Sequence, residues 1–187
     1  MAHFVYDFSS FMDKASSVNH VNSEFGCVML KLSVPEWDKF LKEIDPEDLF
    51  DPDNHGLERY PHVTLIYGIH DWDEPDWRVL DIVRGFEPVK VRLAGISLFK
   101  NPQFDVVKFD VEGERLSAMN RALSDNLQCT IKFPEYHAHA TIAYVKPGAG
   151  ERYANMPNSL ESKEFTLDEV IYSKSGRVEK ISIKLQG

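Results

Sequence analysis

Histidine and threonine two positions apart form a pair that can move a proton and hold an oxyanion, and this chain writes the pair twice. The copies are His62-Val63-Thr64-Leu65-Ile66-Tyr67 and His139-Ala140-Thr141-Ile142-Ala143-Tyr144. Each reads His, any residue, Thr, an aliphatic residue, any residue, Tyr. With only 7 His and 4 Thr in 187 residues, even one such pair is uncommon by chance. In a strand, residues i and i+2 share a face, so each copy sets an imidazole beside a hydroxyl. Two such pairs facing one cleft supply a base, an acid and two hydrogen-bonding hydroxyls, enough to open a phosphodiester without a metal. One neutral imidazole takes the proton of a ribose 2′-hydroxyl as that oxygen attacks phosphorus. The other, protonated, donates to the departing 5′ oxygen. Thr64 and Thr141 hold the non-bridging oxygens. The arrangement is pseudo-symmetric and leaves open which His is base.

Tyr67 and Tyr144 follow their histidines by five, an odd offset. An undistorted strand turns them to the opposite side, into the core. His137 lies two before His139 and shares its face, either lining the pocket or serving structure. His137 and His139 with His62 could instead make a three-histidine metal site with an open position, although that alternative gives the matched threonines no part. A module that binds nucleotides without turning them over is a further alternative, although a pure binder has no need for both imidazoles. For base recognition the aromatic candidates are Phe99, Tyr136, Tyr153 and Tyr172. For phosphates they are Lys100, Lys146, Arg152 and Lys174.

The bulk properties narrow the partners. A net charge of −9 argues against a protein that neutralises many phosphates along a nucleic acid, while a small nucleotide in a local pocket remains compatible. A hydrophobic content of 43% fits a soluble globular domain. No apolar run approaches the ~18–20 residues that span a bilayer, and the N-terminus lacks the pattern of a secretory signal. Cys27 and Cys129 read as buried free thiols of a reducing cytoplasm. The expectation is one cytoplasmic domain over 1–187, monomeric, without cofactor, acting on a small nucleotide.

The surrounding pattern supplies elements to position the motifs. Residues 1–24, with Phe4, Tyr6, Phe8, Phe11 and Met12, read as an arm. Gly26 to Leu32 reads as a strand, ending at a capping box in Ser33-Val34-Pro35-Glu36. Trp37, Phe40, Leu41 and Ile44 have helical spacing, and 45–61 is a loop leading to the first motif. Asp73 can cap a helix whose buried side is Trp77, Leu80, Val83 and Phe86. Strands follow at Val89–Phe99 and Phe104–Val111, then a helix burying Leu116, Met119, Leu123 and Leu127. Thr130 to Phe133 and the second motif are strands. The polar stretch 147–162 is a possible lid, and Phe165–Ile171 and Val178–Leu185 close the chain as strands. These add up to an α+β sandwich, one-sided sheet covered by helices, whose two halves each contribute one His-x-Thr strand.

A doubled His-x-Thr, one per lobe, resembles the 2H phosphoesterase superfamily of 2′-5′ RNA ligase-like proteins and cyclic phosphodiesterases. The resemblance spans Phe25 to Leu185 and implies an α+β fold of two pseudo-symmetric lobes of antiparallel sheet forming a central cleft, with helices on the outer faces. It also implies catalytic roles for His62, Thr64, His139 and Thr141. The stretch His137-Ala138-His139-Ala140-Thr141-Ile142-Ala143-Tyr144-Val145-Lys146-Pro147-Gly148 is similar to the second motif of phage-encoded members. One branch of these, the anti-CBASS nucleases, hydrolyses cyclic di- and trinucleotide messengers of bacterial immunity without metal. Resemblance to that branch implies cleavage of 3′-5′ linkages in a cyclic oligonucleotide within the host cytoplasm. The wider superfamily implies the alternative, a 2′,3′-cyclic phosphodiesterase or ligase-like enzyme acting on RNA ends or small cyclic nucleotides.

Overall fold

The computed structural model describes residues 25–51, 56–130, 135–154, 156–176 and 178–186. The expected arm over 1–24 and most of the expected strand from Thr130 to Phe133 lie outside the described residues. Among the described residues, eight strands form two four-stranded sheets. In chain order they are β1 (Gly26–Lys31), β2 (His62–Ile69), β3 (Val89–Lys100), β4 (Asp105–Glu112), β5 (His139–Val145), β6 (Glu164–Leu167), β7 (Glu169–Ser173) and β8 (Lys180–Lys184). One sheet runs β2-β1-β7-β8 and the other β5-β4-β3-β6, with antiparallel pairing throughout. The fold is the α+β arrangement of two antiparallel lobes, and each motif occupies an edge position of its own sheet. The single strand expected over Phe165–Ile171 is two. Asp168 separates β6 in the second sheet from β7 in the first, so the chain changes lobes at that residue.

Three α-helices among the described residues accompany the sheets: α1 (Trp37–Leu41), α2 (Asp76–Arg84) and α3 (Leu116–Asn126). The spacing of Trp37, Phe40, Leu41 and Ile44 buries all four. Trp37 and Phe40 meet Phe109 of β4 at ring-centroid distances of 6.1 and 5.3 Å, so α1 ties the first lobe to the second. The capping box does not form. No side chain caps α1, and the Glu36 carboxylate instead accepts from Lys163 at 2.8 Å. In α2 the buried residues are Val79 and Val83, while Trp77 is 62% exposed. Pro75 rather than Asp73 is its N-cap, and the i, i+4 pair of β-branched residues sets the packed face. Helix α3 buries Leu116, Met119 and Leu123 as the pattern predicts, with Leu127 just beyond it.

The edges that carry the motifs are covered reciprocally. Chain leading into the second motif lies along β2: His70 N–H donates to Gln128 O and Thr130 N–H to Gly68 O, both at 2.9 Å. Chain leading into the first motif lies along β5: Glu58 N–H donates to Ile142 O and Tyr144 N–H to Gly56 O, again both at 2.9 Å. Gly68 makes the first approach possible. Its φ is +113°, and a Cβ there would stand 2.3 Å from the Thr130 carbonyl oxygen.

Candidate active site

His62 opens β2 and His139 opens β5. Each ring is anchored by the same device: Nδ1 of His62 lies 2.8 Å from the Tyr60 carbonyl, and Nδ1 of His139 lies 2.8 Å from the His137 carbonyl. A carbonyl only accepts, so each Nδ1 carries the proton and donates it, leaving Nε2 as the nitrogen for chemistry. The approach to the second motif also touches the first motif, since the Tyr136 hydroxyl donates to the Thr64 carbonyl at 3.0 Å.

Both motif strands carry a β-bulge at the fourth residue of the hexad. In β2 the pairing passes from Met29–Thr64 to Val28–Ile66, leaving Leu65 extra. In β5 it passes from Lys108–Thr141 to Val107–Ala143, leaving Ile142 extra. An extra residue reverses the facing of everything beyond it. Tyr67 and Tyr144 therefore return to the His-Thr side, and the core-facing expectation for both is overturned. They are half-buried, while Leu65, Ile66, Ile142 and Ala143 fill the core instead. Tyr67 packs edge-on against Phe25 at 6.1 Å and Tyr144 against Phe104 at 5.6 Å. Adjacent apolar pairs, Leu65-Ile66 and Ile142-Ala143, interrupt the alternation and are the sequence signal for the bulges. Each bulge carbonyl is satisfied: Leu65 O accepts from Asn120 Nδ2 at 2.7 Å, and Ile142 O from the Glu58 N–H.

The surroundings of the two histidines differ. Directly paired strand residues share a face. Asp110 therefore flanks His139, and Lys108 flanks Thr141, which is itself 9% exposed. Phe99 meets the His139 ring edge-on at 4.9 Å. Burial is the main cause pushing His139 down from the ordinary histidine value to about 4; the nearby charges of Lys108 and His62 lower it further, against the His137 carbonyl and Asp110. His139 is thus a neutral imidazole at pH 7. His62 has Lys31 as its cross-strand partner, and Lys31 reaches out to Glu169 at 3.0 Å.

Of the substrate-binding candidates, the structure brings Phe99, Tyr136 and His137 to the motifs. The Phe99 ring is buried, with the Lys108 ammonium 4.2 Å from its centroid. Tyr153 and Tyr172 are 3% and 0% exposed, so neither offers a ring face to a base. The Tyr153 hydroxyl donates to Asp48 at 2.7 Å and accepts from Arg152, whose guanidinium also pairs with Asp45 at 3.0 Å. Lys100 pairs with Glu151, Lys146 donates to Glu47 O at 2.7 Å, and Lys174 pairs with Asp76 at 3.1 Å. These four cations fasten loops and neighbouring elements. The segment 147–162 does not hang free as a lid. Gly148 and Gly150 N–H groups donate to Asp105 at 2.8 and 3.2 Å, Ser162 N–H donates to Leu93 O at 2.7 Å, and Leu160 is fully buried. Among the described residues no three His, Cys, Asp or Glu are placed to share a metal ion, and no helix is long and apolar enough to cross a membrane. Sequence reasoning passes over Lys108 and Asp110, whose strand register alone gives them their place. It also passes over Tyr60, 83% exposed and two residues before His62.

A sequence model described as the 2′-5′ RNA ligase superfamily matches residues 33–178, which contain both motifs. The chain belongs to that superfamily. Its fold is similar to Usb1 of Kluyveromyces marxianus, with a TM-score of 0.60 at 13% identity over 89% of this chain and 100% of that one. Usb1 of the same organism with uridine monophosphate gives a TM-score of 0.56 at 13% identity, over 89% of this chain and 100% of that one. The Thermus thermophilus protein TT0787 gives 0.56 at 17% identity over 87% of this chain and 100% of that one. At these identities the likeness concerns fold. Among curated proteins, none matches the sequence.

Proposed function

We propose that this superfamily member is a phosphodiesterase that opens 3′-5′ linkages of cyclic di- or trinucleotides, with His139 as proton acceptor and His62 as proton donor. The observation that carries the reading is the matched anchoring of both rings at Nδ1, combined with a His139 held neutral. Nε2 of His139 takes the 2′-hydroxyl proton as the 2′ oxygen bonds to phosphorus. The phosphorus–5′ oxygen bond breaks, and His62 delivers its Nε2 proton to that oxygen. Thr64 and Thr141 donate to the non-bridging oxygens as charge gathers there. No step requires a cofactor.

The substrate class rests on charge and on the second motif. The chain carries net −9, and Lys100, Lys146, Arg152 and Lys174 are each engaged elsewhere, so a long phosphate backbone finds no continuous basic track among these candidates. A compact nucleotide needs only the local site. The phage-like stretch from His137 to Gly148 favours a cyclic messenger, acting in the cytoplasm of an infected cell, with the enzyme as a monomer. A second reading, action on RNA ends, is favoured by the superfamily's description and by the uridine monophosphate bound to the Usb1 of the same fold.

A panel of cyclic di- and trinucleotides beside RNA ending in a 2′,3′-cyclic phosphate, with product mapping and with EDTA present, separates the readings. Linearisation of the cyclic oligonucleotides in EDTA is the expected result. Turnover of the RNA end alone overturns the messenger reading, and loss of all turnover in EDTA restores the metal alternative.

A further inference from the structure

Lys108 is a lysine in the wrong kind of place for solubility. Its side chain is 5% exposed, on the row of β4 that shares the face of Thr141 and lies directly across from it. The ammonium donates to Ser97 Oγ at 2.6 Å, pairs with Asp110 and sits 4.2 Å from the centre of the Phe99 ring. Phe99 in turn packs on His139. Three partners from two strands hold one charge in a fixed position beside the second motif. Burying a cation is costly, and a hydrophobic residue would fill the same space without that cost.

We propose that Lys108 is a positioning residue whose fixed charge reinforces burial in favouring His139, rather than His62, as the proton acceptor. This rests on the two-histidine reading of the site. The charged and titratable groups around His139 are Lys108 and Asp110 from β4, His62 from β2, and His137 with its neighbour Glu135 ahead of β5. Asp110 opposes Lys108, but its carboxylate side chain is 48% exposed and screened by water, while the ammonium is not. The positive charge therefore outweighs Asp110 at the His139 ring and adds to burial, the larger cause of its neutral state. The first motif lacks this arrangement: Lys31, across from His62, has a side chain 48% exposed and turned to Glu169.

The test is the titration of His139 in full-length protein labelled in its histidine rings, with the His139 signal assigned from a His139→Gln variant. Lys108→Met should raise the midpoint by on the order of one pH unit, and Lys108→Arg should return it towards wild type. Lys108→Gln, which keeps a polar group for Ser97, should behave as Lys108→Met does and serves if the latter fails to fold. In turnover, the acid limb of kcat/KM should move upward with the same variants and be restored by Lys108→Arg. An unmoved midpoint in a folded, charge-free variant overturns the role of Lys108. A raised midpoint in a protein that cleaves no phosphodiester supports Lys108 and rejects the enzymatic reading instead.

Discussion

The two motif strands have the same backbone and different company. Both hold the histidine through Nδ1 on the carbonyl two residues earlier, both bulge at the fourth hexad position, and both return a tyrosine to the His-Thr side. Around that shared frame the first motif keeps its charges outward, Lys31 with Glu169. The second motif encloses its histidine against Phe99 and a buried lysine. Even the bulges differ in support. A side chain, Asn120, holds the Leu65 carbonyl, whereas the backbone of Glu58 holds the Ile142 carbonyl. A repeated sequence can thus set equal geometry while unequal neighbours surround the two rings, and burial holds His139 well below the ordinary histidine value. In the proposed mechanism acid and base need opposite protonation states at one pH, a need that unequal surroundings meet.

This contrast can be broken in steps. The largest effect should come from the rings themselves: His62→Ala and His139→Ala should each lower kcat on the best substrate by about 10³-fold, measured by single-turnover product release. Near-wild-type turnover in either variant would end the two-histidine mechanism.

Next is the pH dependence of kcat/KM. A base near 4 predicts an acid limb at about pH 4 rather than at the ordinary histidine value of 6.5. The sign for stability follows. His139 is lowered in the folded state, so its contribution is full above pH 6.5 and is lost as pH falls from there towards 4. A limb at 6.5 would show that the enclosure of His139 does not survive in solution.

Asn120→Ala should remove the support of the first bulge only and cost about 1–2 kcal/mol in chemical denaturation, because the Leu65 carbonyl loses its partner. An unchanged denaturation midpoint would mean that the first bulge needs no side-chain support.

The smallest effect is expected at Lys31. Lys31→Met should change kcat/KM by less than about threefold, since an exposed ion pair is screened. A larger loss would place a working cation beside His62 as well and would remove the distinction between the halves.

Much of the frame is readable because periodicity reports burial. The strand at Gly26, the paired strands from Val89 to Val111 and the faces of α1 and α3 follow directly from apolar spacing. So do the four motif residues, since i and i+2 remain on one face ahead of the bulge. What lies beyond the bulge does not, because a single extra residue changes the parity on which strand reasoning depends. Tyr67 and Tyr144 fall on the unexpected face for that reason alone. Trp77 departs from its expected burial because helix α2 is packed through Val79 and Val83, and hydrophobicity by itself does not choose between overlapping stripes. Lys108 stands 31 residues ahead of His139 in the chain and beside it only through β4–β5 register, which no local pattern encodes. The candidate cations show a related limit: residue type gives a charge, but only three-dimensional contacts show that Arg152 pairs with Asp45 and Asp48.

The reciprocal edge cover gives the molecule an interlock. Neither motif strand is closed by chain from its own side alone, because each borrows the approach to the other. Removing one approach leaves an open strand edge with unpaired N–H and C=O groups beside a motif histidine. The halves therefore cannot be cut apart and studied as independent modules, and a split form of the protein would have to dock as it folds. A repeat that looks divisible in sequence is, in space, a single clasp.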